Sequence, residues 1–315
     1  MFSIKFDVQR SIVINEHVDV VYKKVSDFNT WKEWSPWLCQ EPECPVDITG
    51  TPGETGHGQA WDGKQIGAGG MTLVRHAPNQ SLDYKLSFVR PWKSRATAGF
   101  QFAEEKDGTR VSWSMTGELP IFLFFMKKMM AAFVGTDYER GLNMLKEYVE
   151  TGNVPSHVSV EGVDGQSGFY YAGVKHACRI EDVGPAMEQD FLKIQKGIDG
   201  GALPGPDFLF SFYHKFDLVH RDCEYTSGCG YFQDPGFQQI PQGMVSGDIR
   251  KHRALKVMHT GPYRHLGNAW SAAMGYQKSA KLKADKDIAM YEIYENMPHE
   301  VDEQDIKTVV FVPVK

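Results

Sequence analysis

The chain has 315 residues, a length typical of two domains. Hydrophobic residues make up 42% of it and charged residues 23%, which excludes wholesale disorder. The net charge is −6, and both halves are slightly acidic: 17 Lys and Arg against 19 Asp and Glu up to residue 150, then 17 against 21. Neither half therefore has the cationic surface of a duplex-binding module. Six of the seven Trp residues lie in the first half, which indicates two different folds.

The first half has the pattern of an antiparallel sheet with a helix inserted early. Residues 4–14 are predicted as a strand, and residues 17–26 have the apolar spacing of a helix. Between residues 57 and 117, apolar and polar side chains alternate in several segments. Turn signals at Pro78-Asn79 and Asp107-Gly108 separate these segments. Such alternation predicts consecutive antiparallel strands with one apolar face and one face in water.

A long helix is predicted to follow, from Phe122 to Thr151, and the Gly- and Pro-containing linker 152–155 ends it. The second part of this helix carries an apolar face: Tyr138, Leu142, Leu145 and Val149. A helix with such a face is expected to lie across the apolar face of the sheet.

Several motifs of the first half resemble START-like helix-grip proteins, including polyketide cyclase-like members. They are the tryptophan segment Asp27–Trp37, the glycines Gly67–Gly70, the strand Thr109–Trp113 and the helical segment Gly135–Lys146. The resemblance covers about residues 1–150, and the predicted domain is residues 1–152. It implies an antiparallel sheet gripped by a long C-terminal helix, with an apolar ligand cavity between them. Candidate cavity residues share one strand face or lie in the tryptophan segment: Trp34, Tyr84, Phe88, Phe100 and Trp113. The sequence leaves open whether they line a cavity or a dry core.

The second half has the order strand, helix, strand, strand, repeated once after a leading strand. The predicted strands are 156–163, 169–176, 207–217, 224–233, 251–260, 287–296 and 307–314, and the predicted helices are 183–198 and 264–280. This order predicts an α+β domain built from two similar units.

Three segments of the second half resemble the gyrase-inhibitor-like family, which includes the effector-binding domains of AraC-type and MerR-type regulators. They are Met258–Tyr263, Met290–Pro298 and Thr308–Val314. The resemblance covers residues 156–315 and implies a duplicated βαββ fold. Its groove, at the pseudo-twofold axis, binds small organic molecules that are often cationic and aromatic. In that family a Glu in a Glu-x-Tyr motif supplies the negative charge, and the matching residues are Glu292 and Tyr294.

Glu292 is the leading candidate site residue through this resemblance, and its strand context shows which side chains share its face. Met290, Glu292 and Tyr294 are two apart, so they share one face of a strand. A carboxylate on an apolar wall is costly unless it is paired, so it attracts a cation or keeps a proton with a raised pKa. The alternative is that Glu292 is an exposed strand residue, in which case Glu295 is the second candidate.

Aromatic residues complete the predicted ligand site, because ring faces attract cations. Tyr263 and Trp270 are candidates from the second unit, and Tyr171 and Phe212 from the first. For Tyr263 the alternative is a residue that only fills a turn, and for Trp270 it is a core residue of its helix.

We therefore expect a protein that binds or senses a small, hydrophobic molecule, cationic or aromatic in character. No basic helix-turn-helix segment is evident, so direct binding to nucleic acid is not expected. The alternative is a hydrolase or cyclase acting on a reactive small molecule, with Glu292 as the acid or base. Binding is favoured over catalysis because no nucleophile–base pair is evident. A lipid carrier that uses the first-domain cavity is a third hypothesis.

Cofactors and metals are not expected. The spacing of His214, His220 and Cys223 fits no usual zinc motif. A cytoplasmic location is expected, since there is no signal segment and the five Cys residues show no paired spacing. The segment Phe122–Met130 has two interpretations: the buried start of the long helix, which is favoured, or a membrane contact. Stable membrane insertion is not expected, and the oligomeric state stays open.

Overall fold

The computed structural model describes residues 3–237 and 239–315, without the side chains of residues 3, 119, 120, 122 and 123. The chain divides into two compact units, residues 1–155 and 156–315. Each contains its own antiparallel sheet, and the predicted α+β class is confirmed. Within the described ranges, no helix combines the length and the apolar character needed to cross a membrane.

The first unit is a seven-stranded antiparallel sheet with the strand order β1-β7-β6-β5-β4-β3-β2. Its strands are β1 Ser3–Ile14, β2 Val46–Thr49, β3 Gly58–Asp62, β4 Ala68–Ala77, β5 Ser81–Arg90, β6 Ser94–Glu105 and β7 Gly108–Pro120. Two short helices, α1 Val18–Ser26 and α2 Trp31–Trp34, follow β1. Both predicted turns join strands, and Asn79 adopts the positive φ of 60° that such turns often need.

The long helix α3, Lys127–Thr151, contacts β1 and β7 and covers the aromatic core of the sheet. It buries Tyr138, Leu142 and Leu145 of its predicted apolar face. Gly152 ends the helix in the left-handed conformation, with φ of 82°, and its N–H donates to Tyr148 O.

The structure differs from the sequence prediction at the start of this helix. The segment Ile121–Met126 is a 3₁₀ turn, and α3 begins only at Lys127. Phe124 and Phe125 are exposed, so the favoured interpretation of Phe122–Met130 as a buried helix start is wrong for these side chains. Apolar composition alone suggested burial, but the residues of α3 that are buried begin only at Gly135.

The second unit is an eight-stranded sheet with the strand order β12-β9-β11-β10-β14-β15-β13-β8. Its strands are β8 His157–Gln166, β9 Phe169–Arg179, β10 Phe208–Asp217, β11 Asp222–Tyr231, β12 Val245–Ile249, β13 His252–Thr260, β14 Met290–Tyr294 and β15 Lys307–Val314. Its helices are α4 Val183–Asp199 and α5 Gly267–Ser279. The units β9-α4-β10-β11 and β13-α5-β14-β15 repeat the predicted βαββ order, and they meet where β10 pairs with β14.

The two faces of this sheet have separate cores. On one face, α4 packs on β9 and β11, and α5 packs on β13, β8 and β15. On the opposite face, an aromatic cluster includes Phe169 of β9 and Tyr291 of β14, whose ring centroids are 6.0 Å apart although two strands separate them. Rings three strands apart can meet only if the sheet curls strongly toward this face.

Candidate functional site

Glu292 lies at the centre of the second sheet, where the two repeated units join. In the register it is opposite Ser211 of β10 and Val310 of β15. Its side chain faces the two helices, because the strand alternates and Tyr291 and Ile293 belong to the cluster on the opposite face. Only 1% of Glu292 is exposed, so the interpretation of an exposed strand residue is wrong. Glu295, the second candidate, is exposed beyond the end of β14.

Three neutral donors surround the Glu292 carboxylate. Trp270 Nε1 donates to Oε1, the Tyr294 hydroxyl donates to Oε2 at 2.9 Å, and the Tyr213 hydroxyl also forms a hydrogen bond. Burial raises the pKa of Glu292, and the three hydrogen bonds only partly oppose that rise. The carboxyl group therefore either keeps its proton or, once it is ionised, pairs with a cation.

A chain of hydroxyl groups continues from this carboxylate into the first repeated unit. Ser211 Oγ lies 3.0 Å from the Tyr294 hydroxyl and 2.8 Å from Ser227 Oγ. A phenol has one proton, so when Tyr294 donates it to Glu292 its oxygen is left to accept from Ser211. Both serines are fully buried, on the face of the sheet that the helices cover.

Both helices contribute walls to this site. From α4, the Phe191 ring meets the Tyr294 ring edge-on at 5.5 Å, and Met187 Sδ lies 4.0 Å from Ser211 Oγ. From α5, Trp270 meets the Tyr213 ring edge-on at 5.3 Å. The alternative interpretation of Trp270 as a core residue is correct in part, because its ring also packs on the apolar cluster beneath α5. The carboxylate thus has an aromatic surround.

Tyr263 is the most exposed ring of the site. Its ring centroid lies 5.6 Å from that of Tyr294, while 38% of the residue is exposed. Burial and the nearby Glu292 raise the pKa of its hydroxyl to about 12. A surface cavity of about 480 Å³ adjoins this ring, and its lining residues are Pro262, Tyr263, Arg264, Pro298, Glu303 and Ile306. Tyr263 therefore lies between the cavity and the buried site.

A second buried carboxylate, Asp190, fixes α4 on the sheet. It accepts hydrogen bonds from the Tyr225 hydroxyl at 2.9 Å and Lys193 Nζ at 3.0 Å, and it pairs with His176 Nδ1 at 2.9 Å. His176 and Tyr225 lie directly opposite each other on β9 and β11. This network sets the position of the wall that carries Phe191 and Met187.

Tyr171 and Phe212 are not part of this site, which corrects the sequence prediction. Their ring centroids are 5.3 Å apart, and Phe212 also contacts Tyr291, so both belong to the cluster on the opposite face of the sheet. The prediction placed both residues beside Glu292 without knowing the strand register. A shift of one residue along a strand moves a side chain to the other face.

Two of the residues that the sequence analysis missed are the immediate neighbours of Phe212. Ser211 and Tyr213 flank it and face the helices, as the pairing of β10 with β14 requires. Side chains alternate along β10, so the sequence shows that Ser211 and Tyr213 face the side opposite to Phe212. Which of the two sides Glu292 shares is known only once the pairing register of β10 and β14 is known. Met187 and Phe191, four apart on α4, were missed because helical spacing does not show which residues of the sheet the helix covers.

In the first unit, four of the five candidate cavity residues form one aromatic cluster. Trp34, Tyr84, Phe100 and Trp113 are all at most 1% exposed and pack in ring contacts with each other or through Trp31. Phe88 instead contacts Trp61 further along the strands. Within the described part of the chain, the indole N–H groups of Trp34 and Trp113 are buried without a hydrogen-bond partner. These two N–H groups are therefore available to donate hydrogen bonds to a polar atom of a bound molecule.

Comparison with protein-family models assigns both halves. Residues 5–150 match the model described as polyketide cyclase / dehydrase and lipid transport. Residues 167–315 match the model of the GyrI-like small molecule binding domain. The chain joins a polyketide cyclase-like domain to a GyrI-like domain. Both predicted resemblances are thereby confirmed, and both domains are of small-molecule-binding types.

Solved structures resemble parts of the chain at low sequence identity. Protein MLL2253 from Mesorhizobium loti is 13% identical, with a TM-score of 0.37, over 47% of this chain and 99% of that one. The Aha1 dimer from Colwellia psychrerythraea is 18% identical, with a TM-score of 0.36, over 47% and 98%. EcmrR, solved in a complex with DNA, is 14% identical, with a TM-score of 0.41, over 62% and 72%. A search of curated proteins finds no match. The assignment of the domains rests on the family models.

Proposed function

We propose that the GyrI-like domain binds a small organic cation with aromatic character, and that Glu292 supplies the opposing charge. The observation that carries this proposal is the partner set of Glu292: a fully buried carboxylate whose three named hydrogen-bond donors are all neutral. A buried charge is stable only when something compensates it. A bound cation would do so.

The surrounding rings favour an organic cation over a metal ion. Trp270, Tyr213 and Tyr294 contribute donors to the carboxylate and also ring surfaces beside it. A cation over a ring face gains about 0.5–2 kcal/mol, more when the contact is dry. Metal ions of the kind that proteins usually bind prefer several oxygen, nitrogen or sulfur ligands, and such a set is not what these rings offer.

Access to the carboxylate involves Tyr263. Its ring contacts Tyr294 on one side and the surface cavity of about 480 Å³ on the other. That volume is within the range of small-molecule sites. A ligand in this cavity reaches Glu292 when the Tyr263 ring turns aside, and the exposed position of this residue makes such a rotation inexpensive.

Ligand binding is expected to depend on Glu292 and on ligand charge together. The test compares the fluorescent cation ethidium with its uncharged phenanthridine core on the wild type and on Glu292→Gln. Loss of one buried charge partner costs about 2–5 kcal/mol, so ethidium affinity should fall at least 30-fold, while phenanthridine affinity changes little. Isothermal titration calorimetry measures both.

Glu295→Gln is the matched control, since Glu295 is three residues away and exposed. The proposal fails if Glu295→Gln weakens ethidium binding as much as Glu292→Gln does, or if neither substitution has an effect.

A hydrolase is the second candidate function, and the observation that favours it is the burial of the Glu292 carboxyl group, which raises its pKa. A carboxyl group whose pKa is raised toward the working pH is better suited to act as a general acid or base. Turnover of an electrophilic ester by the wild type, absent in Glu292→Gln, would support catalysis over binding alone. Tight ethidium binding without any turnover would support the binding function.

A further inference from the structure

The first unit carries an exposed apolar surface that neither its core nor the Glu292 site uses. We call it the aromatic–basic surface, and its apolar members are Ile121, Phe124, Phe125, Met129 and Phe133. Phe124 is 65% exposed and Phe125 is 67% exposed. Scattered exposed apolar residues are ordinary, but these five fall within thirteen consecutive positions, and the ring centroids of Phe124 and Phe125 are 6.0 Å apart. Exposed apolar patches mark interaction sites.

The backbone presents this surface as a unit. Ile121, Phe124 and Phe125 belong to the 3₁₀ turn, and Met129 and Phe133 lie four apart on the first turns of α3, so they share a helix face. All residues from Lys127 to Val134 are half-buried or exposed. The helix is anchored instead by its later turns, where Tyr138, Leu142 and Leu145 are buried. The later turns of α3 therefore fix the helix on the sheet, and its first turns carry the aromatic–basic surface exposed to solvent.

The charged side chains within the segment that carries the exposed rings are of one sign. Lys127 and Lys128 are both exposed and lie between Phe125 and Met129. The segment 119–136 contains these two Lys residues and no Asp or Glu, although the whole chain has a net charge of −6. The nearest carboxylate before this segment is Glu118 on β7, so the segment itself is cationic on a protein that is acidic overall.

We propose that the aromatic–basic surface binds reversibly to the interface of membranes that contain anionic lipids. Apolar rings beside lysines are the composition that partitions at the boundary between headgroups and acyl chains. The rings gain by leaving water, and the lysines gain from the negative surface potential of anionic lipids.

A lipid interface fits these charges better than a second copy of the chain does. A symmetric contact between two copies would bring the same surface patch together with itself. Lys127 and Lys128 of one copy would then approach the lysines of the other, and like charges in contact are unfavourable. A negatively charged lipid surface has no such conflict.

Vesicle sedimentation with the full chain tests this proposal. Wild-type protein should sediment with vesicles of phosphatidylcholine that contain 30% phosphatidylserine, and weakly with phosphatidylcholine alone. Lys127→Gln with Lys128→Gln should lower the partition coefficient on the anionic vesicles about 30-fold, because each basic residue near an anionic surface contributes about 1 kcal/mol of attraction. Raising the salt concentration should have a similar effect on the wild type.

A second variant separates the apolar contribution. Phe124→Ser with Phe125→Ser leaves the charge unchanged and should lower partitioning at least about 10-fold on anionic vesicles. Phe232→Ser is the matched control, because Phe232 is 58% exposed but lies in the other unit, and it should partition like the wild type. Circular dichroism checks that all the variants are folded.

Three outcomes would overturn the proposal. The wild type does not sediment with anionic vesicles, or Phe232→Ser loses as much partitioning as the Phe124 and Phe125 variant. The third outcome is a wild-type dimer in analytical ultracentrifugation that this variant makes monomeric, since the surface would then belong to a second copy of the chain.

Discussion

Two buried carboxylates in the GyrI-like domain have opposite surroundings. Asp190 is paired with His176 and Lys193 and also accepts from Tyr225, so its compensation lies within the chain. Glu292 is equally buried, but its named donors are the neutral groups of Trp270 and two tyrosines. Asp190 therefore fixes α4 on the sheet, whereas Glu292 carries the charge that we propose a bound cation balances.

The pH dependence of Glu292 follows from the direction of its pKa shift. Its pKa in the folded protein is raised above the ordinary value of 4.5, so the folded state holds this proton more tightly than the unfolded state does. This contribution to stability is full below about pH 4.5 and is lost as pH rises through the folded pKa.

A cation that pairs with the charged carboxylate must therefore expel this proton within that window. We expect up to one proton to be released per ethidium bound, and ethidium affinity to rise with pH until Glu292 is ionised. Calorimetry in two buffers of different ionisation enthalpy measures the released proton. In Glu292→Gln the release should vanish. Equal proton release in the wild type and the variant would assign the linkage to another group.

At the residue scale the sequence predicted Glu292, Tyr294, Tyr263 and Trp270 as one group, and the structure brings them together. The motif sufficed because all four belong to the second repeated unit. The contribution of the first unit was predicted on the wrong face, as Phe212 instead of Ser211 and Tyr213. Contacts between repeated units depend on a register between β10 and β14 that local sequence does not specify.

Helix α4 is the wall that the first repeated unit contributes to the site, and Asp190 is its anchor. Asp190→Asn removes the charge that His176 and Lys193 compensate and weakens the hydrogen bonds to them. Hydrogen bonds to charged groups contribute about 1.5–3 kcal/mol each in such settings, so the free energy of unfolding should fall by about 1–3 kcal/mol. Urea unfolding monitored by circular dichroism gives this value.

Asp199→Asn is the control on the same helix. Asp199 is exposed at the end of α4 and bonds Gln195 Nε2 at 2.7 Å, so its replacement should change the free energy of unfolding by less than about 0.5 kcal/mol. Equal losses for Asp190→Asn and Asp199→Asn would contradict the role of Asp190 as an anchor.

Strands and helices with a strong apolar period were predicted close to their observed bounds. Helix α4 and the apolar face of α3 are examples. The missed strands β2 and β12 are both sheet edges. These two strands have only four and five residues, all of them exposed or half-buried. Alternation over so short a segment, such as Val46 and Ile48 in β2, is weaker evidence for a strand than the longer alternation of the inner strands. At the start of α3 the apolar residues lie on the surface, and composition alone gave the wrong burial there.

At the scale of the whole molecule, two small-molecule-binding types share one chain, and the uneven distribution of Trp reflects this. The polyketide cyclase-like domain gathers Trp31, Trp34 and Trp113 into one core, whereas Trp270 of the GyrI-like domain donates to Glu292. The even, slightly acidic charge is broken locally by Lys127 and Lys128 of the aromatic–basic surface. The two proposals therefore concern separate parts of the chain and are tested by separate variants.

A crystal structure of the full chain with bound ethidium tests the central proposal most directly. We expect the cationic ring system in the GyrI-like domain, beside the Glu292 carboxylate and within about 6 Å of the centroids of the Trp270 or Tyr294 rings, with Tyr263 turned aside. Ethidium bound among Trp34 and Trp113 of the first domain, with the rings around Glu292 unchanged, would contradict it.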